Sequence, residues 1–81
     1  MVEKKTITIE LKLFVTLSKF LPKNPDHYEV TQGKTVEDMM ADLKLSSELV
    51  KLIFINGKRQ DKSYLLQAND RVGLFPPVGG G

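Results

Sequence analysis

Side chains able to do chemistry are sparse in this sequence, and its most suggestive stretch has almost no side chains at all: Pro76-Pro77-Val78-Gly79-Gly80-Gly81. A glycine run cannot pack, and it orders only at a high cost in backbone entropy. Its use would lie in the carboxylate of Gly81. A carboxylate is a poor acyl donor until one oxygen becomes a leaving group, which ATP achieves by forming an acyl-adenylate. A partner enzyme would then have to enclose the tail and the nucleotide together. Glycine at the last positions lets the backbone pass through a channel too narrow for Cβ atoms and take whatever φ the site demands. The activated carbonyl of Gly81 could accept sulfur, giving a thiocarboxylate, or an amine, giving an amide. The chain has no cysteine, so any sulfur it carries must sit at that terminus.

Other candidate groups have plainer explanations. His27 is the single histidine and lies beside Asp26 in a polar segment, without the spaced carboxylates or cysteines that a metal site needs. No metal site is expected. Met39 and Met40 fall on an apolar helical face and read as core fillers. Glu37 and Asp38 are adjacent, so their side chains diverge on a helix, and capping explains Asp38 better than acid–base pairing. Lys58, Arg59, Lys62 and Arg71 read as a solvated face, with the alternative that a patch near the exit of the tail steers an acidic partner.

Composition narrows the class. The 81 residues suit one domain, close to the size at which cores become marginal. Hydrophobic residues make up 41% and charged residues 27%, too apolar for a disordered chain. Twelve basic and ten acidic residues are interspersed, and the net charge is only +2. Nucleic-acid binding would call for a basic stripe or stacking aromatics, and neither is present. The opening MVEKKTITIE lacks the apolar segment of a secretion signal, and no run approaches membrane-spanning length. The expected location is cytoplasmic, with no membrane or nucleic-acid partner.

The elements that must aim the tail follow from period and punctuation. TITIELKLF alternates, with Ile7, Ile9, Leu11 and Leu13 on one face, and predicts a half-buried strand. VTLSKFLPKNPD predicts a short helical turn and a loop closed by Pro22 and Pro25. HYEVTQG predicts a second strand ending at Gly33. In TVEDMMADLKL, Val36, Met39, Met40 and Leu43 share a helical face, with Thr35 as N-cap and Asp38 completing a capping box. Leu52 to Ile55 predict a buried strand, turned back by Asn56-Gly57 into a short polar one. DKSYLLQAND reads as an irregular turn tucked in by Tyr64, Leu65 and Leu66, and RVGLF as the last strand.

Strand, strand, helix, strand, short strand, strand predicts an α+β, ubiquitin-like β-grasp: a mixed sheet of four to five strands with one main helix across one face. The last strand should lie parallel to the first. The expected core comprises Ile7, Ile9, Leu11, Val36, Met40, Leu43, Ile53, Ile55 and Val72. Residues 1–75 form the expected domain and 76–81 a flexible tail. Proline gives no N–H to a ladder, so pairing should stop after Phe75. From Pro76 onward an extended chain reaches roughly 20 Å, at about 3.3 Å per residue, enough to enter the active site of another protein. Phe75, Leu74 and Phe14 are expected to form a partly exposed apolar patch beside the exit of the tail.

At this point a resemblance becomes specific. The chain resembles the MoaD/ThiS family of ubiquitin-like sulfur carriers over essentially its whole length, and DRVGLFPPVGGG is similar to the ending of molybdopterin synthase small subunits. The resemblance implies that Gly80 and Gly81 are the functional pair, with Gly81 adenylated and then thiocarboxylated by a ubiquitin-activating-like adenylyltransferase that uses ATP. It implies that Phe75, Pro76, Pro77 and Val78 line the docking surface and channel. It also implies a carrier without catalysis or bound cofactor of its own, monomeric when free, whose second partner is a large subunit or acceptor enzyme. Phe-Pro-Pro is similar to carriers of the molybdopterin pathway, and the third glycine, Gly79, to those of the thiamine-thiazole pathway. The alternatives are a protein modifier joined to lysines through Gly81 and an interaction domain whose tail is idle.

Overall fold

Alternating Ile7, Ile9, Leu11 and Leu13 produce strand β1, Thr6–Leu13, with all four side chains buried on one face. The structure is a computed structural model that describes residues 5–77. Expectations for Val78, Gly79, Gly80 and Gly81 lie outside the described residues. After β1 come 3-10 turns at Val15–Phe20 and Pro25–His27, then β2, Tyr28–Thr31. Helix α1 spans Val36–Asp42, and a third 3-10 turn spans Ser47–Leu49. β3, Leu52–Ile55, β4, Lys58–Arg59, and β5, Arg71–Phe75, complete the sheet.

The strand order is β2-β1-β5-β3-β4. β1 pairs antiparallel with β2, matching Ile7 to Val30, and parallel with β5, matching Leu11 to Val72 and Leu13 to Leu74. β5 pairs antiparallel with β3, matching Ile53 to Leu74 and Ile55 to Val72. In each of these five pairs two apolar residues meet, so one face of the sheet carries the core. This is the expected β-grasp, and the last strand lies beside the first, in the centre.

Helix α1 covers that face. Its start is fixed by a reciprocal capping box: the Asp38 N–H donates to Thr35 Oγ1 at 3.1 Å, and the Thr35 N–H donates to Asp38 Oδ2 at 3.1 Å. Two further N–H groups of the first turn, from Val36 and Glu37, donate to the carbonyls of Tyr64 and Lys62. The irregular 61–69 segment thus satisfies donors that a helix leaves open. Thr35→Ala is expected to cost about 1 kcal/mol, read from urea unfolding at neutral pH. The Asp38 carboxyl is held below its ordinary value, chiefly by the Thr35 N–H and then by the Thr35 hydroxyl. A depressed carboxyl stabilises above its unfolded-state pKa, and the effect is lost as pH falls through the lower folded value. Asp38→Asn should therefore flatten the acid limb of the stability profile.

The other end of α1 corrects the expected core. Leu43 caps the helix and is only partly buried, while Leu45 is buried at 3% exposure. Lys44 takes a left-handed φ of 59°, its N–H donates to the Ala41 carbonyl, and the Leu45 N–H donates to Met40 at 2.8 Å. These bonds form a Schellman motif, which folds the residue after the left-handed position back onto the helix. Met39, Leu13, Leu17, Val30, Leu66 and Leu74 join the core as well. Leu65, expected to tuck in, is 48% exposed, because it alternates with the buried Leu66.

The Leu52–Ile55 run is buried on one side only: Ile53 and Ile55 face the helix, while Leu52 and Phe54 are half-exposed on the opposite face. Among the described residues a single helix covers a single sheet face, and the outward residues of β3 have no second layer over them. Asn56 and Gly57, at φ 54° and 85°, make the left-handed pair that turns β3 into β4.

Candidate functional site

The parallel pairing of β1 and β5 brings their C-terminal ends together. Phe14 follows β1, and its N–H donates to the Leu74 carbonyl at 3.1 Å. Phe75 closes β5, and its carbonyl accepts the Lys51 N–H at 2.7 Å. Side chains two apart share a face, so Phe14 and Phe75 both point away from the helix. Their rings stack with centroids 4.2 Å apart and planes 5° from parallel. Phe54 meets Phe75 edge-on at 5.6 Å.

Gly73 lies under the rings. It sits between Lys12 on β1 and Phe54 on β3 in the same row of the sheet. A Cβ placed there would lie 3.4 Å from Phe14 Cε2 and 3.9 Å from Phe75 Cε1. Glycine thus opens a floor over which the aromatic pair leans. The resulting open depression has a volume of about 440 Å³ and is edged by Glu10, Lys12, Asn56 and Arg71. Glu10 and Lys12 pair at 3.7 Å, both partly exposed. Such a surface pair contributes little stability and leaves both charges open to a partner.

Beyond Phe75 the half-buried Pro76 and the exposed Pro77 give no N–H. Pairing of β5 stops there, as expected, and the chain leaves the sheet from beside the stacked rings. Phe14, 37% exposed, and the half-buried Phe75 meet the expectation of an apolar patch. Leu74 does not. It is fully buried, because residues 70, 72 and 74 face the helix and residues 71, 73 and 75 face out. Leu74 belongs to the core, and Phe54 takes its place in the patch. Parity within β3 could have indicated Phe54 once one face was assigned to the core, but four consecutive apolar residues carry no period by themselves.

The basic residues do not form one patch. Lys62 pairs with Glu37 of α1 at 3.3 Å, on the helix side, whereas Arg71 edges the depression. His27 is exposed in its 3-10 turn. Among the described residues no group of three or more His, Asp or Glu side chains is placed to hold a metal, and no helix is long and apolar enough to cross a membrane.

The described residues thus form a β-grasp whose last strand leaves the sheet beside an aromatic face. The profile of the ThiS family matches residues 11–81. The chain belongs to the ThiS family. This is a family of small ubiquitin-like carriers and modifiers. In structure, this ThiS-family chain is similar to the Haloferax volcanii HVO 2177 protein, at 26% identity and a TM-score of 0.76, over 100% of this chain and 92% of the other. It is also similar to SAMP1 from Haloferax volcanii, at 26% identity and a TM-score of 0.64, over 91% and 99% of the two chains. SAMP1, the small archaeal modifier protein 1, from Methanosarcina acetivorans shares the fold at 21% identity and a TM-score of 0.61, over 99% and 100%. No curated protein matches the sequence.

Proposed function

We propose that this ThiS-family chain is a sulfur carrier. The Gly81 carboxylate attacks the α-phosphorus of ATP on a ubiquitin-activating-like adenylyltransferase, and pyrophosphate leaves. Sulfide then attacks the Gly81 carbonyl carbon and AMP leaves, which yields a thiocarboxylate. An acceptor enzyme, or the large subunit of a sulfurtransferase, takes that sulfur into cofactor biosynthesis, with a molybdopterin precursor as the acceptor favoured by Phe75-Pro76-Pro77. Gly79 favours a thiazole precursor instead. Nucleophile, base and oxyanion donors all come from the partners, and this chain supplies the carboxylate and its delivery.

The observation that carries this reading is the shared strand. β5 lies in the centre of the sheet, holds the docking ring Phe75 at its end, and continues directly into Pro76-Pro77. A partner seated on Phe14, Phe54 and Phe75 therefore receives the tail from a fixed origin. Val78, Gly79 and Gly80 would thread its channel.

A second reading is a protein modifier, favoured by the similarity to small archaeal modifier proteins. Both readings share adenylation and differ only in the acceptor. Intact mass after incubation with the activating enzyme, ATP and sulfide separates them. Exchange of one oxygen for sulfur supports the carrier. A covalent adduct to lysines of other proteins, with no sulfur gained, supports the modifier. An unchanged mass with no adduct overturns both and leaves an interaction domain.

A further inference from the structure

Asp70 occupies a place where a carboxylate should be costly. It continues the inward face of the terminal strand, with Val72 and Leu74, and is 5% exposed. A buried carboxylate needs donors, and Asp70 has three. Its Oδ1 accepts from Asn56 Nδ2 at 2.9 Å, and its Oδ2 accepts from the Tyr64 hydroxyl at 3.0 Å and the Gln67 N–H at 2.9 Å. Burial first, then the hydrogen bond to Asp70, raise the Tyr64 hydroxyl above its ordinary pKa, so it keeps the proton it donates.

The same residues start both ladders of β5. The Asp70 carbonyl accepts the Glu10 N–H of β1 at 2.9 Å, and the Arg71 carbonyl accepts the Asn56 N–H beside β3 at 2.9 Å. Asn56 also turns its Oδ1 to the Arg71 N–H at 2.9 Å. One amide side chain thus joins the β3–β4 turn to the carboxylate and to the first N–H of the strand.

Alternation alone does not fix where β5 sits along its neighbours. A one-residue slip would expose Val72 and Leu74, but a two-residue slip preserves their face. Two residues amount to roughly 6.6 Å of strand, at about 3.3 Å each. Retraction by two residues would place Pro76 where Leu74 now packs and remove an N–H from the ladder. Extension by two would carry Asp70 into the place of Val72, away from Asn56, Tyr64 and Gln67. The prolines therefore oppose slippage one way, and Asp70 opposes it the other way, the direction in which a partner pulling on the tail would act.

We propose that Asp70 is a positioning residue: with Asn56 and Tyr64 it pins the register of β5 and so sets how far the tail extends from the aromatic docking face. The consequence for activity rests on the proposed carrier or modifier function, whereas the pin itself does not. Asp70→Leu removes the acceptor and keeps an inward side chain. Tyr64→Phe removes one donor of three and serves if the leucine variant fails to fold.

The test has two arms. In hydrogen exchange, the Glu10 and Asn56 amides of Asp70→Leu should open at least about tenfold faster relative to the Phe14 and Lys51 amides at the far end of the strand. Tyr64→Phe should show a smaller change of the same kind. In adenylation with saturating activating enzyme, the rate should fall about tenfold or more, since a displacement near 1 Å already costs on that scale or beyond, while KM stays within about twofold. Unchanged exchange at Glu10 and Asn56 would overturn the pin. Faster exchange with an unaltered saturating rate would overturn its role in tail reach, and a change confined to KM would assign Asp70 to docking. If the native chain itself is not adenylated, the functional proposal fails, and the exchange arm still decides the pin.

Discussion

Appending a single alanine after Gly81 is expected to abolish sulfur transfer to this chain. The reactive carboxyl would become an internal amide, whose nitrogen is a far worse leaving group than AMP and whose carbonyl has no free oxygen to attack ATP. The new alanine carboxylate would lie roughly 3.3 Å further out and would carry a Cβ into the channel. Deleting Gly81 shifts the carboxylate inward by the same distance, although Gly79-Gly80 remains as a terminal pair. The rate should then fall on the order of 10²-fold, the scale set by misplacing a reacting atom by about 1 Å. By contrast, His27→Ala, Glu37→Ala and Lys58→Ala should be converted nearly as fast as the native chain. All three side chains are exposed, and none edges the aromatic depression. Intact mass after incubation with activating enzyme, ATP and sulfide reads every variant in one assay. Conversion of the extended chain at the native rate would leave the glycine run without the role proposed for it.

The features that position this chemistry were unequally legible in the sequence. β1 could be read because its apolar residues alternate, and α1 because the capping pair Thr35 and Asp38 marks the start of an apolar helical face. Asn56-Gly57 named its own turn, since two successive left-handed residues are needed there. The end of α1 could not be read in the same way. A left-handed position usually announces itself as glycine, and here it is Lys44, so nothing in TVEDMMADLKL marks Leu45 as the residue that folds back into the core. β3 hid its two faces inside Leu52-Ile53-Phe54-Ile55, where every residue is apolar. Only the tertiary fact of one covering helix makes Phe54 an outward ring. Asp70 was hidden for the opposite reason: a charged residue in a polar turn reads as solvated, and its burial depends on donors at Asn56, Tyr64 and Gln67 that are distant or irregularly placed along the chain.

Adjacent residues of β5 should separate stability from docking. Leu74→Ala is expected to destabilise the fold by about 2–5 kcal/mol, because Leu74 is fully buried opposite Leu13 and Ile53, its partners on the two flanking strands. Its effect on partner affinity, measured at a temperature where the variant remains folded, should be small. Phe75→Ala should do the reverse. The ring is half-exposed, and its stacking on Phe14 is worth about 0.5–1.5 kcal/mol in stability beyond the area it buries. On a partner, the same ring stands at the centre of the outward aromatic group, where truncation of an anchor typically costs about 2 kcal/mol or more, upward of about thirtyfold in Kd. Gly73→Ala offers an independent check that leaves every ring in place. Its Cβ would sit 3.4 Å from Phe14 Cε2, an ordinary contact, so the rings can stay stacked while the floor between Lys12 and Phe54 fills. Affinity should drop while thermal stability changes little. If Phe75→Ala lowers Tm and leaves Kd for the activating enzyme unchanged, the aromatic face serves only to close the end of the sheet. Docking must then be sought elsewhere on the molecule, although the tail would still leave from the same point.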